Sequence, residues 1–210
     1  ALGGPNTTPP RSARFQRWAG ALLASPLGAG PMSRRYRGFG SDTWTDERAL
    51  MLCNLALRRS VLEEERLWFP EEVDRNEENL LLERLRRRGS LFLHAPALAV
   101  SHERRATLAG FLRQCAFSGL GRGQMTRVLP LSLTPAHAAP ALLALLAAAA
   151  AMGSGAAAAV VAGYAALVAA SAWSAATEAI DRAGVAALTP AAHLSYAAGF
   201  AAGLAGARAR

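Results

Sequence analysis

Lysine is absent from this sequence, because all 23 basic residues are arginine; they stand against 15 acidic residues in a length of 210. Cysteine is scarce too, and Cys53 and Cys115 could form one bridge at most, which excludes a small domain held together by disulfides. The spacing of cysteine and histidine matches no zinc motif. A hydrophobic fraction of 52% excludes a disordered chain, so the composition indicates a folded protein.

The net charge of +8 is distributed unevenly along the chain. Residues 1–127 carry 20 arginines and 13 acids, whereas residues 128–210 carry three arginines and two acids. Charge is missing altogether from the 50 residues between Arg127 and Glu178. We therefore predict a polar, arginine-rich part over 1–127 and a membrane region over 128–210. The arginine content of the first part predicts that it lies on the cytoplasmic side.

Three segments of the second part are candidate membrane helices, over about 136–152, 156–173 and 187–206. Each is close to the ~20 residues that cross the hydrocarbon core of a bilayer. Alanine is only marginally apolar, so a buried helical hairpin of a soluble protein is the alternative for the first two. The third contains Gly199-x-x-x-Gly203, a spacing that permits close helix packing. The sequence thus predicts two to three membrane helices.

Hydrophobic periodicity and helix-end signals predict a mixed α/β arrangement in the polar part. Asn76 is predicted to cap the best-marked helix, which has Glu77 and Glu78 in its first turn and Gly89 after its end. A capping-box pattern predicts that another helix opens at Ser60. The remaining predictions are helices over 11–24, 76–88 and 107–118, strands over 50–57, 91–93 and 98–100, and a loop over 26–43.

Taken one at a time, the polar residues favour ordinary structural roles. The acidic residues around Glu77 are typical of a solvated helix start, His102 of a structural histidine, and the basic run 34–37 of a solvated loop that could bind phosphate. The glycines of 119–123 follow a helix, which argues against a dinucleotide-binding loop. The arginines are mostly interspersed with acidic residues, and no known nucleic-acid-binding motif is present. We therefore expect no nucleic-acid partner.

Several motifs nevertheless follow one another in a characteristic order. They are, along the chain, Cys53-Asn-Leu-Ala-Leu-Arg-Arg59, Phe69-Pro-Glu-Glu72, Arg75-Asn-Glu-Glu-Asn-Leu-Leu-Leu-Glu-Arg-Leu85, Val100-Ser-His102, Phe111-Leu-Arg-Gln114 and Gly119-Leu-Gly-Arg-Gly123. This order resembles the C-terminal half of family 2 glycosyltransferases of the GT-A fold. It looks closest to the membrane-attached bacterial members that build surface polysaccharides, including the succinoglycan type. The segment from Pro190 to Leu204 is similar to the last membrane segment of such enzymes.

The resemblance implies an α/β fold class, with an incomplete GT-A-like mixed α/β domain in 1–127 and a C-terminal α-helical membrane region. It implies an inverting transfer of a sugar from a nucleotide-diphosphate donor to a hydroxyl of a saccharide or lipid-linked acceptor. The Gln-x-x-Arg-Trp motif of processive relatives is absent, so a non-processive enzyme is expected. The expected location is the bacterial cytoplasmic membrane, with the catalytic part facing the cytoplasm.

The resemblance also implies roles for individual residues. The family places an acidic pair seven and six residues before a helical arginine, and Glu77 and Glu78 stand at those distances before Arg84. The second of the pair is the catalytic base, which points to Glu78. A divalent metal, Mg or Mn, is implied as cofactor, with His102 as a candidate ligand. The residues implied to bind the acceptor or the diphosphate are Asn54, Arg84, Arg113, Gln114 and Arg122.

The metal-binding Asp-x-Asp motif of the family is absent from these 210 residues. We therefore expect the main metal ligands and the nucleotide-binding half to lie outside this sequence, and this chain alone to be inactive. A truncated protein is the simpler explanation, and a companion subunit that supplies the missing half is the second. The alternative function is a non-catalytic membrane-bound remnant or interaction module that partners a complete glycosyltransferase.

The native protein is accordingly expected to be heavier than this chain. We predict that its intact mass, measured on membranes of the source cell, exceeds 22.0 kDa by roughly 10 kDa or more, since that is the size of the missing part of the domain. A native mass of 22.0 kDa would contradict the truncation and favour a split enzyme or a remnant.

Overall fold

Helices predominate in the protein, and its strands are short. The computed structural model describes residues 1–176 and 178–208, so that Thr177 and the last two residues of the predicted membrane region lie outside the described residues. Within these ranges, strands β1 to β6 cover Leu2–Gly3, Asn6–Thr7, Thr43–Thr45, Leu55–Ala56, Phe92–His94 and Val100–Ser101. Helices α1 to α9 cover Arg14–Ala24, Pro26–Ala29, Arg34–Arg37, Arg59–Glu64, Glu77–Arg87, Leu108–Val128, Pro135–Ala151, Gly155–Ala175 and Ala179–Leu204.

Four strands form a small mixed sheet in the order β3-β5-β1-β4. Strands β1 and β5 run parallel, and the other two pairings are antiparallel. Strands β2 and β6 form a separate parallel pair. Helix α5 covers one face of the sheet, where Phe92 is buried with Leu81, Leu82 and Leu85. The predicted α/β class is therefore confirmed, and the three leucines form one apolar face of α5.

The polar part departs from the prediction at four places. The strand predicted over 98–100 is displaced, because Pro96–Leu98 forms a 3-10 helix and β6 covers Val100–Ser101. Residues 26–43 contain α2 and α3 rather than a continuous loop, because the Ser25 hydroxyl accepts a hydrogen bond from the Gly28 amide at 2.9 Å and starts a helical turn. The strand predicted over 50–57 shrinks to β4, since a turn bonds the Asn54 amide to the Met51 carbonyl. Helix α4 begins at Arg59, so Ser60 lies inside it and does not cap it.

Helix α6 begins where the sequence predicts but ends later. The Thr107 hydroxyl accepts a hydrogen bond from the Gly110 amide at 3.1 Å, which fixes the start. The helix then continues to Val128 instead of stopping near Ser118. The three glycines of 119–123 do not end the helix. Each packs so closely against the backbone of another segment that a side chain would collide there, and this close packing compensates for the weak helix preference of glycine.

The closest of these contacts is the crossing of α6 and α9. The pair Gly119–Gly123 on α6 faces the pair Gly199–Gly203 on α9. A Cβ atom at Gly199 would overlap the carbonyl oxygen of Ala116, and the other three glycines meet backbone atoms of the opposite helix in the same way. Small residues at this spacing let two helix backbones approach closely. The C-terminal helix is thereby packed along a helix of the polar part.

The two predicted parts also share a hydrophobic core. Leu22 of α1 and Phe111 of α6 are buried with Ala172 of α8 and with Val185 and Leu188 of α9. A single core therefore draws on residues from both sides of the predicted boundary at 127.

One helix in the described ranges is long and apolar enough to cross a membrane. This helix is α8, whose most apolar 18-residue stretch has a mean hydropathy of 1.8. Helix α7 is apolar but has 17 residues, and α9 is longer but does not reach the same hydropathy. The helices predicted over about 136–152, 156–173 and 187–206 are thus present as α7, α8 and α9, while their crossing of a membrane stays a prediction.

The glycine contact predicts opposite effects for two similar substitutions. Gly199→Ala should destabilise the protein by about 1–3 kcal/mol, because the added methyl group forces α6 and α9 apart. Gly163→Ala in α8 has open space around it and should be neutral or stabilising by up to about 1 kcal/mol, because alanine favours a helix over glycine. Thermal unfolding of both variants in detergent micelles, followed by circular dichroism, measures the difference. Equal melting temperatures would contradict the close packing.

Candidate functional site

A cavity of about 530 Å³ lies between the start of α5 and the first turns of α6. The residues that line it are Arg75, Asn76, Glu77, Glu78, Arg105, Gly110, Arg113, Gln114, Phe117 and Ser118. Four of the residues predicted from the sequence, Glu77, Glu78, Arg113 and Gln114, therefore meet at one place, although 35 positions separate Glu78 from Arg113. A smaller cavity of about 260 Å³ near Gln124 and Arg208 is lined by none of the predicted residues.

Asn76 joins the two helices that form the cavity. Its backbone is left-handed, with φ of 60°, a conformation that asparagine tolerates better than most residues. Its side-chain amide donates a hydrogen bond to the Ser118 carbonyl at 3.0 Å and makes no capping bond to α5. Asn76 thus stands at the predicted N-cap position, where its carbonyl accepts from the Asn79 and Leu80 amides, but its side chain does not make the predicted capping bond. Its amide instead fixes the acidic pair opposite α6.

Glu78 is the buried member of the acidic pair. The residue is 7% exposed, whereas Glu77 is half-buried. The nearest positive group is Arg35, whose Nη1 lies 3.9 Å from Glu78 Oε1. Burial raises the pKa of Glu78, and the attraction of Arg35 offsets part of this rise, while the charge of Glu77 adds to it. A carboxylate with a raised pKa is the more effective proton acceptor.

Arg35 is held firmly beside this carboxylate. Its Nε donates to the Arg48 carbonyl at 2.8 Å and its Nη2 to the Glu47 carbonyl at 2.9 Å, and Nη2 also bonds the Asn79 side chain. The basic run over 34–37 is thus not a fully solvated loop, because Arg35 is buried and lies in α3. Local sequence patterns do not indicate that this arginine faces Glu78, since the partners are 43 positions apart.

Positive groups stand at the rim of the cavity. The guanidinium carbons of Arg75 and Arg113 lie 4.7 Å and 5.1 Å from the centre of the Phe117 ring. Arg105 lines the same cavity from the segment before α6. All three side chains belong to exposed residues, and in the part of the chain that the structure describes none forms a hydrogen bond or ion pair.

Three other predicted residues lie away from this cavity. Arg84 forms an ion pair with Glu72 at 2.8 Å, and the Asn54 amide donates to the Leu98 carbonyl at 2.8 Å. Arg122 is almost fully buried on α6, and its Nη1 donates to the Met125 sulfur at 3.2 Å. Burial lowers the pKa of Arg122. The binding roles of these three residues stay predictions. None of them lines the cavity, although the charge of Arg122 reaches Glu78 and acts to lower its pKa.

His102 also lies outside the cavity, next to a second arginine. Its Nδ1 is 3.2 Å from Nη1 of Arg104, which is buried and donates to Thr8 Oγ1 at 3.0 Å. Desolvation and the charges of Arg104 and Arg105 lower the pKa of His102, so the ring stays neutral near pH 7. A neutral ring can ligate a metal through its free nitrogen. The described residues, however, contain no group of three histidine, cysteine or acidic side chains that could hold one.

The cavity contains residues that the sequence did not single out. Arg75 directly precedes Asn76, Arg105 follows the His102 motif, and Phe117 lies one turn after Arg113. The only signal in the sequence is helical spacing, since positions 113, 114, 117 and 118 share one face of a helix. Nothing in the sequence shows that this face meets the start of α5.

Comparison of the chain with protein-family models, with curated proteins and with solved structures finds no significant match. The functional argument therefore depends on the side chains of the cavity.

The environment of Glu78 predicts a pH-dependent effect of Glu78→Gln. A raised pKa in the folded state means that ionising Glu78 costs stability as the pH increases from its unfolded value of 4.5 through the folded value. The glutamine side chain of the variant cannot ionise, so the variant should melt at a higher temperature than the wild type at pH 8, and this gap should close below about pH 4. A variant that melts lower at pH 8 would show that the attraction of Arg35 outweighs the cost of burial.

Proposed function

We propose that this chain is the acceptor-side part of a family 2 glycosyltransferase of the GT-A type, attached to the bacterial cytoplasmic membrane. It transfers a sugar, with inversion and non-processively, from a nucleotide-diphosphate donor to a hydroxyl of a saccharide or lipid-linked acceptor. The donor-binding half with its Asp-x-Asp motif comes from sequence outside these residues.

The observation that carries this proposal is the set of residues that line the 530 Å³ cavity, called the main cavity below. A buried carboxylate with a raised pKa, Glu78, shares it with Arg113 and Gln114 from a different helix. These are residues for which the family resemblance implies catalysis and binding, and they are distant in sequence. Their convergence on one cavity supports the interpretation of Glu78 as a base and argues against a merely solvated helix start.

The proposed reaction requires one group that accepts the proton of the attacking hydroxyl. Glu78 accepts the proton of the acceptor hydroxyl, and the hydroxyl oxygen forms a bond to the anomeric carbon of the sugar. The bond from that carbon to the donor diphosphate breaks, and its electron pair leaves with the nucleoside diphosphate. Attack from the opposite side inverts the configuration at the anomeric carbon.

A divalent metal, Mg or Mn, would neutralise the charge of the leaving diphosphate in a complete site. The described residues do not provide a ligand cluster for it, and His102 is separated from the acidic pair. The metal therefore belongs to the donor half in this proposal.

Two features support attachment to a membrane. Helices α7 and α8 carry no charged side chain. Only 17% of the most apolar 18-residue stretch of α8 is buried within the protein. The apolar side chains that the two helices expose include Leu142, Leu145, Val160, Leu167 and Trp173. In water this surface would be costly, whereas lipid tails solvate it.

The junction between α8 and α9 supports the proposed orientation. Asp181 accepts a hydrogen bond from Trp18 Nε1 at 2.7 Å and lies near Arg14 and Arg17 of α1. The chain thus returns to the arginine-rich part after α7 and α8, as expected for a pair of helices that crosses the membrane and comes back. The arginines would hold this end on the cytoplasmic side.

The corner between α1 and α2 packs against α8 and α9. Residues 18–33 carry no charge, and the Leu27 carbonyl lies 3.0 Å from Nε2 of His193 on α9. Nδ1 of that histidine lies 2.9 Å from the hydroxyl of Tyr164, midway along α8.

The test is sugar transfer by the native gene product in membranes of its source cell. Radiolabelled UDP-glucose, UDP-galactose and GDP-mannose serve as donor probes, and the native lipids and glycans as acceptors. We expect Glu78→Gln to lower the transfer rate by about 10²–10⁴-fold, because the proton acceptor is lost. Glu64→Gln, at an exposed position away from the cavity, should leave the rate unchanged.

Normal transfer by a folded Glu78→Gln variant would contradict the assignment of the base. Absence of transfer by the wild-type protein with every donor, together with stable copurification of a complete glycosyltransferase, would instead favour the remnant or interaction module. The absence of an Asp-x-Asp motif from these residues is the observation that supports this second function.

A further inference from the structure

Three arginines, Arg75, Arg105 and Arg113, gather at the rim of the 530 Å³ cavity. Nine other arginines of the polar part form ion pairs with acidic side chains, as in the pairs Arg59–Glu63 and Arg88–Glu65. Arg75, Arg105 and Arg113 have no such partner in the described residues. The cavity holds these three guanidinium groups against two carboxylates, Glu77 and Glu78, and Glu78 is already paired with Arg35. Its charge is therefore net positive, and an anionic ligand reduces the repulsion between the arginines.

Phe117 gives these groups a fixed arrangement. Both Arg75 and Arg113 lie over its ring at about 5 Å, which holds both planar groups against one side chain while their N–H donors stay free. Free guanidinium donors are well matched to phosphate oxygens, which they can bind in pairs. The cavity also lies at the starts of α5 and α6, where the helix dipoles favour negative charge.

We infer that this cavity binds a phosphate or diphosphate ester through Arg75, Arg105 and Arg113, and that this group belongs to the sugar acceptor. The acceptor is therefore a phosphate-bearing molecule, such as a lipid-linked diphosphate, rather than a neutral glycan. The assignment to the acceptor rests on the proposed function, whereas the binding of phosphate does not.

The direction of the reaction assigns the phosphate to the acceptor. In an inverting displacement the leaving group departs from the face of the sugar opposite the attacking hydroxyl. The donor diphosphate thus lies across the anomeric carbon from the base. Because the three arginines share a cavity with Glu78, they lie on the side of the attacking molecule.

Binding can be measured on the 210-residue chain, purified in a neutral glycoside detergent, without any transfer reaction. Isothermal titration compares geranyl diphosphate, inorganic pyrophosphate and UDP. We expect geranyl diphosphate to bind with at least the affinity of pyrophosphate and more tightly than UDP. Binding should weaken as the salt concentration increases, since the contact is between charges.

Two variants and a control locate the site. Arg75→Gln and Arg113→Gln should each weaken the binding of geranyl diphosphate about tenfold or more, as loss of a charged hydrogen bond does. Arg59→Gln, an exposed arginine on α4, should leave it unchanged. Because the arginines of the cavity are exposed and unpaired, their variants should keep the melting temperature of the wild type.

Several outcomes would overturn the inference. Failure of geranyl diphosphate and pyrophosphate to bind a folded chain would remove the phosphate site, whatever the transfer assay shows. Binding that both variants leave intact would place the phosphate elsewhere. Tighter binding of UDP than of geranyl diphosphate would assign the arginines to the donor. Loss of transfer with intact phosphate binding would instead contradict the proposed function alone.

Discussion

The contact between the glycines of α6 and α9 is the constraint on which the rest of the arrangement depends. It brings two helix backbones together at a distance that no side chain would permit. Helix α9 in turn shares a core with α1 and α8, so the crossing connects the arginine-rich part to the uncharged helices. Glycine normally weakens a helix by about 1 kcal/mol relative to alanine, and here close packing compensates for that cost.

The same crossing fixes one wall of the candidate site. Helix α6 continues through its glycines, and Gly121 lies against the backbone of Arg75, where a side chain would collide with the Arg75 carbonyl. Asn76, the next residue, bonds to the Ser118 carbonyl one turn earlier on α6. The start of α5 is thus held against α6 by backbone contacts, which is how Glu77 and Glu78 come to face Arg113 and Gln114.

The sequence predicted local elements well and distant contacts hardly at all. The leucine face of α5, the Thr107 start of α6 and the three alanine-rich helices follow from periodicity and capping, which act over a few residues. The strand predicted over 50–57 is too long and the loop predicted over 26–43 is wrong, because turn bonds at Asn54 and Ser25 determine the structure of those segments. The pairing of Glu78 with Arg35 depends on the packed fold and leaves no trace in local spacing.

The absence of lysine has a structural counterpart in how the arginines are used. Planar guanidinium groups lie over aromatic rings at Phe39, Tyr36, Phe117 and Trp173, an arrangement that suits arginine better than lysine. At Phe39 and Tyr36 the stacked arginines also bond to the backbone and are occupied by the fold. At Phe117 the two stacked arginines bond to nothing in the described residues, so there the same geometry leaves donors free. The difference between these stacks separates arginines that hold the protein together from arginines available to a ligand.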